Sequence, residues 1–248
     1  VSCGVVGDES GGVLLSGGLD STTVTAYAVG RSDHLTAMTF HYGQTHGKEV
    51  ECAARVAAVL GVAHTMLDVA FLKDVAWYSA LTSPEAFAVP KDASAIGTGI
   101  PITYVPLRNT MFLSLSAALL ESKVLHAIEV EGVPASEVAA RLYMAPNAID
   151  YSGYPDCRPE FYEQMAKTLR LGSKLGAKYD IDIEIETPII HLSKAEIVQM
   201  AVELGAPLDL TWSCYEGGEI PCNECDSCVL RAKGFAEAGV TDPLIPHG

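Results

Sequence analysis

The sequence predicts an α/β fold, in which helices flank a parallel sheet, with a small metal-binding lobe at the C-terminal end. Strand-like and helix-like segments alternate along the chain, and a glycine turn at 16–21 joins the first strand to the first helix. Such alternation implies right-handed crossovers, with ligands gathered at the carboxyl ends of the strands. Four clustered cysteines predict the lobe. The expected boundaries are 1–190 for the α/β domain and 191–248 for the lobe.

The predicted elements rest on two periodicities. Helical segments carry apolar residues three or four positions apart, and strand segments are rich in β-forming residues. In chain order the predictions are strand 13–15, helix 22–29, strand 35–42, helix 48–60, strand 62–69, helix 108–121, strand 124–130 and a helical piece at 134–142. Glycine, proline and small residues at 79–106 predict a long loop, which either orders over a ligand or is simply a disordered surface.

Residues 180–186 alternate strictly between four carboxylates and three isoleucines. This pattern favours a half-buried edge strand over a ladder of metal ligands, because repelling charges discourage pairing with other chains. Ser193 and Glu196 then form a capping-box pattern that opens a helix. Lys194 falls in the first turn of that helix, where a cation opposes the helix dipole. Two interpretations stay open, a contact with a phosphate group and a solvated lysine.

Composition limits the class of protein. The 248 residues are 49% hydrophobic and 19% charged, which indicates a globular chain of one domain with a large core. No run of eighteen apolar residues predicts a membrane span, and the first residues lack the pattern of a secretory signal, so we expect a cytoplasmic protein. A formal net charge of −15 argues against direct binding to a nucleic-acid backbone.

The glycine turn predicts a phosphate-binding loop. Glycines let backbone N–H groups close on an anion, and the unpaired amides of the following helix add partial positive charge. The Gly-Lys-Ser/Thr ending of the P-loop is absent, and the turn instead resembles the PP-loop of ATP pyrophosphatases. The alternative is an ordinary turn with an Asp or Ser cap. The predicted nucleotide-binding residues are Leu14, Leu15, Ser16, Gly17, Gly18, Leu19, Asp20, Ser21, Thr22, Thr23 and Val24.

The four clustered cysteines predict a metal site. Cys222, Cys225 and Cys228 form two Cys-x-x-Cys turns that share the middle residue, and Cys214 adds a fourth thiolate upstream. Four thiolates with no open position suit structural Zn²⁺, with an iron–sulfur cluster or disulfides as weaker alternatives. The other three cysteines, which lack a partner at metal spacing, are expected to be ordinary thiols: Cys3, Cys52 and Cys157.

Several motifs in order resemble the 7-cyano-7-deazaguanine synthase family, over nearly the whole chain. The motifs are the turn at 16–23, Tyr42-Gly43-Gln44-x-His46, Pro106-x-Arg108-Asn109, the polar and aromatic segment 147–161, Ser193-Lys194-Ala195-Glu196, Thr211-Trp212-Ser213-Cys214-Tyr215 and the cysteine cluster. The resemblance implies a PP-loop ligase that uses ATP to activate 7-carboxy-7-deazaguanine. Ammonia then gives the amide, and a second activation gives the nitrile. A homodimer is also expected.

The resemblance also implies roles for individual residues. Asp20 and Lys194 are expected to stabilise charge during adenylation, together with Mg²⁺. The expected substrate-binding residues are Gln44, His46, Arg108, Asn109, Asp150, Tyr151, Tyr154, Asp156 and Arg158. Among them, Asp150 suits two parallel donors of a guanine-like ring. A purely structural alternative makes 150–161 a turn that feeds a helix near Arg158, capped by Asp156, and lets Gln44 and His46 cap the helix at 48–60.

Three features depart from the family pattern. The stretch 124–146 is longer than expected and predicts an insertion, Ala145-Pro146 precedes Asn147, and Thr45 replaces an expected arginine. Two other enzyme classes therefore stay open, a PP-loop ligase that joins the deazaguanine acid to another amine or protein, and a PP-loop tRNA-modifying enzyme. A non-catalytic zinc-ribbon binding module is the alternative outside enzymes.

Overall fold

The computed structural model describes residues 8–43, 47–88, 99–149, 153–216 and 218–245. Five parallel strands and the helices on both of their faces confirm the predicted α/β class. The strands are β1 (Asp8–Leu14), β2 (His34–His41), β3 (Ala63–Asp68), β4 (Val138–Tyr143) and β5 (Ile183–Glu186). The helices are α1 (Leu19–Val29), α2 (Lys48–Val59), α3 (Leu72–Val75), α4 (Arg108–His126), α5 (Pro159–Gly172), α6 (Lys194–Glu203) and α7 (Asp226–Ala238).

Strand order places a topological switch point at β1. The sheet runs β3-β2-β1-β4-β5, so the chain moves outward from β1 through β2 to β3 and then returns to the other side of β1. All four strand pairs are parallel. In such sheets a crevice opens at the carboxyl ends of the strands where the order reverses. The loop that follows β1 therefore lies where the fold favours a ligand.

Apolar clusters on both faces of the sheet form the core. One cluster joins β2 and β4 to α4 and α5, and in it the rings of Phe40 and Phe112 stack with centroids 4.1 Å apart. The other cluster joins β1 to α1, α2, α6 and α7, through side chains that include Val13, Val56 and Phe235. The C-terminal helices thus share a core with β1, and the predicted boundary at residue 190 stays a prediction.

Two predicted elements are wrong: a predicted strand is helical, and a predicted helix is mostly a strand. Residues 124–130, predicted as a strand, continue α4 and end in a π-helical turn, Ala127–Glu131, that stops at Gly132. Val124 is buried four residues after Leu120, so the helical apolar stripe continues through residues with high β-propensity.

The helical piece predicted at 134–142 is mostly β4, preceded by a 3₁₀ turn. The helix propensity of its alanines is outweighed by tertiary structure, because the segment forms strand pairs with both β1 and β5. Arg141 in β4 pairs with Glu9 and Glu184 on the neighbouring strands. The stretch 124–146, predicted as an insertion, therefore contains a strand of the sheet itself.

Residues 180–186 form an edge strand, as predicted, but a shorter one. Only 183–186 pair with β4, because the backbone of Asp180 adopts a left-handed conformation that ends a π-helical turn just before the strand. The carboxylates of this segment are held by two arginines: Arg170 pairs with Asp180 and Asp182, and Arg141 pairs with Glu184 and Glu186. The alternating carboxylates therefore serve as partners of two arginines, and not as a ladder of metal ligands.

Residues 108–131 meet the length and hydropathy of a membrane-spanning helix, with a mean hydropathy of 1.4. In this fold the helix packs on the sheet through Phe112, Leu113, Leu120 and Val124, which are all buried. Its place in the core explains the apolar residues on the face that packs on the sheet, and 33% of the apolar window is buried there.

Candidate active site

A cavity of about 320 Å³ opens at the carboxyl ends of β1, β2 and β4. The loop after β1 forms one wall, and Phe40, Met144 and Asn147, which lie near the ends of β2 and β4, form another. Residues of α4 and α5 and the segment around Trp212 complete the lining. The cavity therefore lies at the switch point that the strand order creates.

The glycine turn adopts the geometry of an anion-binding loop. Gly17 is left-handed, with φ +88°, and a Cβ there would lie 2.2 Å from the carbonyl oxygen of Glu49. Only glycine permits this close approach of the loop to α2. Gly18 is the N-cap of α1 and makes no side-chain cap, which leaves the first-turn amides available to a ligand. The alternative of an Asp or Ser cap is therefore wrong.

Two serines brace this loop from within. The hydroxyls of Ser16 and Ser21 lie 2.9 Å apart, and the Ser16 N–H donates to Ser21 Oγ at 3.2 Å. The loop is also tied to the C-terminal part of the chain, since the Trp212 N–H donates to the Gly17 carbonyl at 2.9 Å. The loop is thus preorganised by both local and distant contacts.

Asp20 and Lys194 meet at the rim of this loop. Lys194 Nζ donates to both carboxylate oxygens of Asp20, at 3.0 and 2.8 Å. The lysine is buried, so the interpretation of a solvated surface lysine is wrong. The predicted capping box is confirmed: Ser193 accepts from the Glu196 N–H, and Glu196 accepts from the Ser193 N–H. This cap positions Lys194 in the first turn of α6.

Polar and aromatic residues gather around Arg108, and several of them line the same cavity. Arg108 begins α4, with its guanidinium 5.8 Å from the ring centroid of Tyr42. The Tyr154 hydroxyl lies 2.7 Å from that of Thr103. Asn109 donates to the Asp156 carbonyl at 3.4 Å. Burial raises the pKa of the Asp156 carboxyl, and the positive charge of Arg108 offsets part of the rise.

The other predicted substrate-binding residues are less well placed or fall outside the structure. Arg158 is exposed and donates to the Pro155 carbonyl at 3.3 Å. It is also the N-cap of α5, which has no side-chain cap, so the predicted cap by Asp156 is wrong. Four predicted residues lie outside the described ranges, as do Thr45 and Cys3: Gln44, His46, Asp150 and Tyr151.

The cavity also exposes functional candidates that the sequence analysis missed. Glu49, in the first turn of α2, lines the cavity, and burial raises the pKa of its carboxyl to about 7, although Arg108 lowers it in part. Tyr162, one residue beyond the motif at 147–161, lines the cavity, and its buried hydroxyl has no hydrogen-bond partner among the described residues. The sequence does place both residues next to motifs: Glu49 comes three residues after His46, and Tyr162 comes directly after Phe161. This proximity could have identified them as candidates.

The cysteine cluster fits a tetrahedral metal site. The four sulfur atoms lie within 4.8 Å of one another, and those of Cys222 and Cys228 are 3.9 Å apart. Tetrahedral Zn²⁺ with Zn–S bonds of about 2.3 Å requires sulfur atoms about 3.8 Å apart. Cys52 and Cys157 are buried free thiols, as predicted.

The cysteine cluster and the glycine turn are connected through residues 211–214. Arg231 of α7 donates to Thr211 Oγ1 at 2.8 Å and pairs with Asp242 at 2.7 and 2.9 Å. Trp212, whose N–H binds Gly17, also donates from its ring nitrogen to the Cys214 carbonyl at 2.9 Å. A metal at the cluster therefore holds a segment that contacts the loop.

Comparison with known proteins gives a consistent result. Residues 12–239 match the family model described as "Queuosine biosynthesis protein QueC". Among curated relatives, the 7-cyano-7-deazaguanine synthase of Thermoplasma volcanium is 47% identical, over 94% of this chain and 88% of that protein. The synthase of Thermoplasma acidophilum is 45% identical, over 94% and 90%, and that of Oceanobacillus iheyensis is 43% identical, over 94% and 96%.

Proposed function

Because the chain belongs to the QueC family of queuosine biosynthesis proteins, we propose that it is an ATP-dependent carbon–nitrogen ligase that converts 7-carboxy-7-deazaguanine and ammonia to 7-cyano-7-deazaguanine. The observation that carries the proposal is the cavity at the switch point, which is lined by the glycine loop and by hydrogen-bonding and aromatic groups such as Arg108 and Tyr154. The acid is activated as an adenylate, converted to the amide, and activated again to lose its oxygen.

The glycine loop supports the nucleotide half of this proposal. First-turn amides of α1 offer donors to the phosphates, and Lys194 adds positive charge beside them. Asp20 is the residue that would hold Mg²⁺ together with the phosphates, and its carboxylate suits a hard cation that prefers oxygen ligands. Bound Mg²⁺ supplies neutralisation of the phosphate charge.

Arg108 and Tyr154, which line the same cavity, support the substrate half of the proposal. Arg108 offers a permanent cation for the carboxylate of the acid, and Tyr154 offers an aromatic face for the ring. Asp150 and Tyr151 remain the proposed contacts for the guanine-like edge. The cysteine cluster would hold Zn²⁺, which supplies no chemistry to the reaction and stabilises the segment around Trp212.

We also propose a cytoplasmic homodimer that acts on small molecules without binding nucleic acid directly. Large apolar side chains are exposed in and beside α3, namely Phe71, Val75, Trp77 and Tyr78, and the rings of Trp77 and Tyr78 contact each other. Such a patch is typical of a protein interface. The net charge of −15 disfavours a nucleic-acid partner. Light scattering after size exclusion tests the dimer, and Trp77→Asp is expected to shift it toward monomer.

The product assay tests the function directly. The protein is incubated with ATP, Mg²⁺, ammonium and the deazaguanine acid, and the expected product is the nitrile, identified by mass. A stable amide without nitrile would mean that the second activation is missing. No ATP-dependent product at all would overturn the proposal.

A variant pair tests the substrate assignment. Asp150→Asn replaces an acceptor with a group that presents a donor, so binding of the acid is expected to weaken by about 10-fold or more while ATP binding is retained. Asp209→Asn, on an exposed 3₁₀ turn, is the control and is expected to change neither affinity. Equal loss of both ligands in Asp150→Asn would contradict a role in substrate recognition.

A further inference from the structure

We propose that Glu49 is the catalytic base that accepts the protons released from nitrogen in both halves of the reaction. The inference rests on the proposed function and adds a residue to it. Its support comes from where the carboxylate lies, which groups surround it and what the chemistry of nitrile formation requires.

Glu49 lies beside the phosphate-binding loop. It is the second residue of α2. Its backbone carbonyl oxygen lies so close to Gly17 that a Cβ on Gly17 would be 2.2 Å from this oxygen. Its side chain lines the same cavity as Asp20 and Arg108. An acyl group activated at the loop therefore sits within the space that Glu49 borders.

The carboxylate of Glu49 is not committed to another group. Within the described part of the chain, no residue donates it a hydrogen bond, and its electrostatic partner is Arg108 on α4. The negative charge of Glu49 also contributes to the raised pKa of Tyr42 and of Cys52. Burial raises the pKa of Glu49 to about 7. A free carboxylate with such a pKa is well matched to accept a proton near neutral pH.

The other ionisable groups that line the described cavity are poor candidates. The Asp20 carboxylate is bound at both oxygens by Lys194. Burial raises the pKa of the Cys157 thiol to about 12, and burial also raises the pKa of Tyr154. Asp20 and Glu49 are the only carboxylates among the described lining residues, so Glu49 is the available one.

Each step of the reaction leaves a proton on nitrogen that must be removed. In the first half, ammonia forms a C–N bond to the acyl carbon, the C–O bond to AMP breaks, and one proton leaves the nitrogen. In the second half, the amide oxygen bonds to the α-phosphorus of a second ATP, the bond from that phosphorus to pyrophosphate breaks, and one N–H proton leaves. The C–O bond to AMP then breaks as the last N–H proton leaves, which gives the nitrile and free AMP. Glu49 accepts each proton and releases it to water before the next, and no oxidation or reduction occurs.

The experiment compares Glu49→Gln with Glu51→Gln, a neighbouring exposed glutamate in the same turn of α2. Nitrile formation from ammonium is measured against pH for both variants and wild type. In parallel, hydroxylamine replaces ammonium and traps the acyl adenylate as the hydroxamate. Hydroxylamine is much less basic than ammonia, so its proton leaves to water without a protein base.

We expect Glu49→Gln to slow nitrile formation by about 100-fold or more and to lose the ionisation near pH 7, while hydroxamate formation stays within about 3-fold of wild type. Glu51→Gln should match wild type in both assays. Glu49→Asp keeps a carboxylate and is expected to retain part of the activity and the pH-dependent limb. Retained hydroxamate formation shows that the Glu49→Gln chain is folded and binds ATP and the acid.

Two results would overturn the inference. One is a Glu49→Gln variant that makes nitrile at the wild-type rate with an unchanged pH profile. The other is loss of hydroxamate to the same extent as nitrile, which would place Glu49 in adenylation or in folding. A wild-type protein that makes no nitrile would overturn the proposed function instead, so the two failures are distinguishable.

Discussion

Lys194 binds both carboxylate oxygens of Asp20 and so joins the first turn of α6 to the first turn of α1, across 174 residues of sequence. This ion pair lies beside the glycine turn, and both residues line the cavity. When a nucleotide binds, Lys194 can bind its phosphates and Asp20 can bind a divalent cation, because a cation attracts phosphate and a carboxylate suits a hard cation. Each of the two residues would then replace its present partner with a ligand.

Replacement of Asp20 by asparagine is expected to lower kcat by about 100-fold or more, because an amide binds a divalent cation poorly. It also weakens the pair with Lys194, so the free energy of unfolding should fall by about 1–2 kcal/mol. Steady-state kinetics and urea unfolding measure the two effects. Glu160→Gln, in the first turn of α5, is the control. Wild-type turnover in Asp20→Asn would remove Asp20 from catalysis.

Gly234 in α7 allows the stem of Lys194 to pass. A Cβ at this position would lie 2.3 Å from Lys194 Cγ and 2.9 Å from its Cβ. Gly234→Ala should therefore destabilise the protein by about 1–2 kcal/mol, even though alanine favours helix, and should weaken ATP binding. Gly172→Ala, in α5 with open space around it, is expected to be neutral or slightly stabilising. The prediction fails if the two variants behave alike in thermal unfolding and calorimetry.

The cysteine cluster is expected to bind one metal ion per chain, measured by elemental analysis. The protein has two tryptophans, and Trp77→Phe leaves buried Trp212, beside the cluster, as the only tryptophan, whose emission can be excited selectively over that of the tyrosines. Chelation should shift its emission to longer wavelength and lower the melting temperature by about 5 °C or more. Cys225→Ser should lose the metal, whereas Cys52→Ala, in the same apolar cluster, should keep it. A chelated protein with unchanged emission would contradict the site.

The ion pair of Arg231 with Asp242 is buried, with 5% and 4% of the two side chains exposed. Arg231→Met should cost about 3–5 kcal/mol in urea unfolding, because the Asp242 charge loses its partner in the interior. Adding Asp242→Leu should restore part of that loss. Lys233→Met removes an exposed pair with Glu237 at 3.8 Å and should cost less than about 0.5 kcal/mol. Similar costs for the two single variants would argue against this account.

The raised pKa of Glu49 makes stability depend on pH in a defined direction. The folded chain holds the Glu49 proton up to about pH 7, whereas the unfolded chain releases it near its ordinary pKa of 4.5. The folded state therefore loses stability as pH rises between these values, by about 3 kcal/mol at most. Glu49→Gln should remove this loss, so its stability advantage over wild type should grow from pH 5 to pH 8. An advantage that does not change with pH would contradict the raised pKa.

Local patterns predicted much of the fold and the local geometry of three short motifs correctly. The glycine turn, the Ser193–Glu196 capping box and the cysteine spacing each depend on residues close together in sequence, so their geometry follows from short-range chemistry. The alanine-rich segment that became β4 is different. Its helical propensity is weak beside the hydrogen bonds that it makes with strands on both sides.

The sequence by itself determined the glycine turn between β1 and α1, the grouping of four cysteines and the alternation of strands and helices, because each is encoded within a short stretch of chain. Only the tertiary structure decided that Lys194 binds Asp20, that Trp212 contacts Gly17 and that Glu49 shares a cavity with Arg108. These contacts join residues far apart in sequence, and they depend on the strand order and on the packing of helices across the sheet.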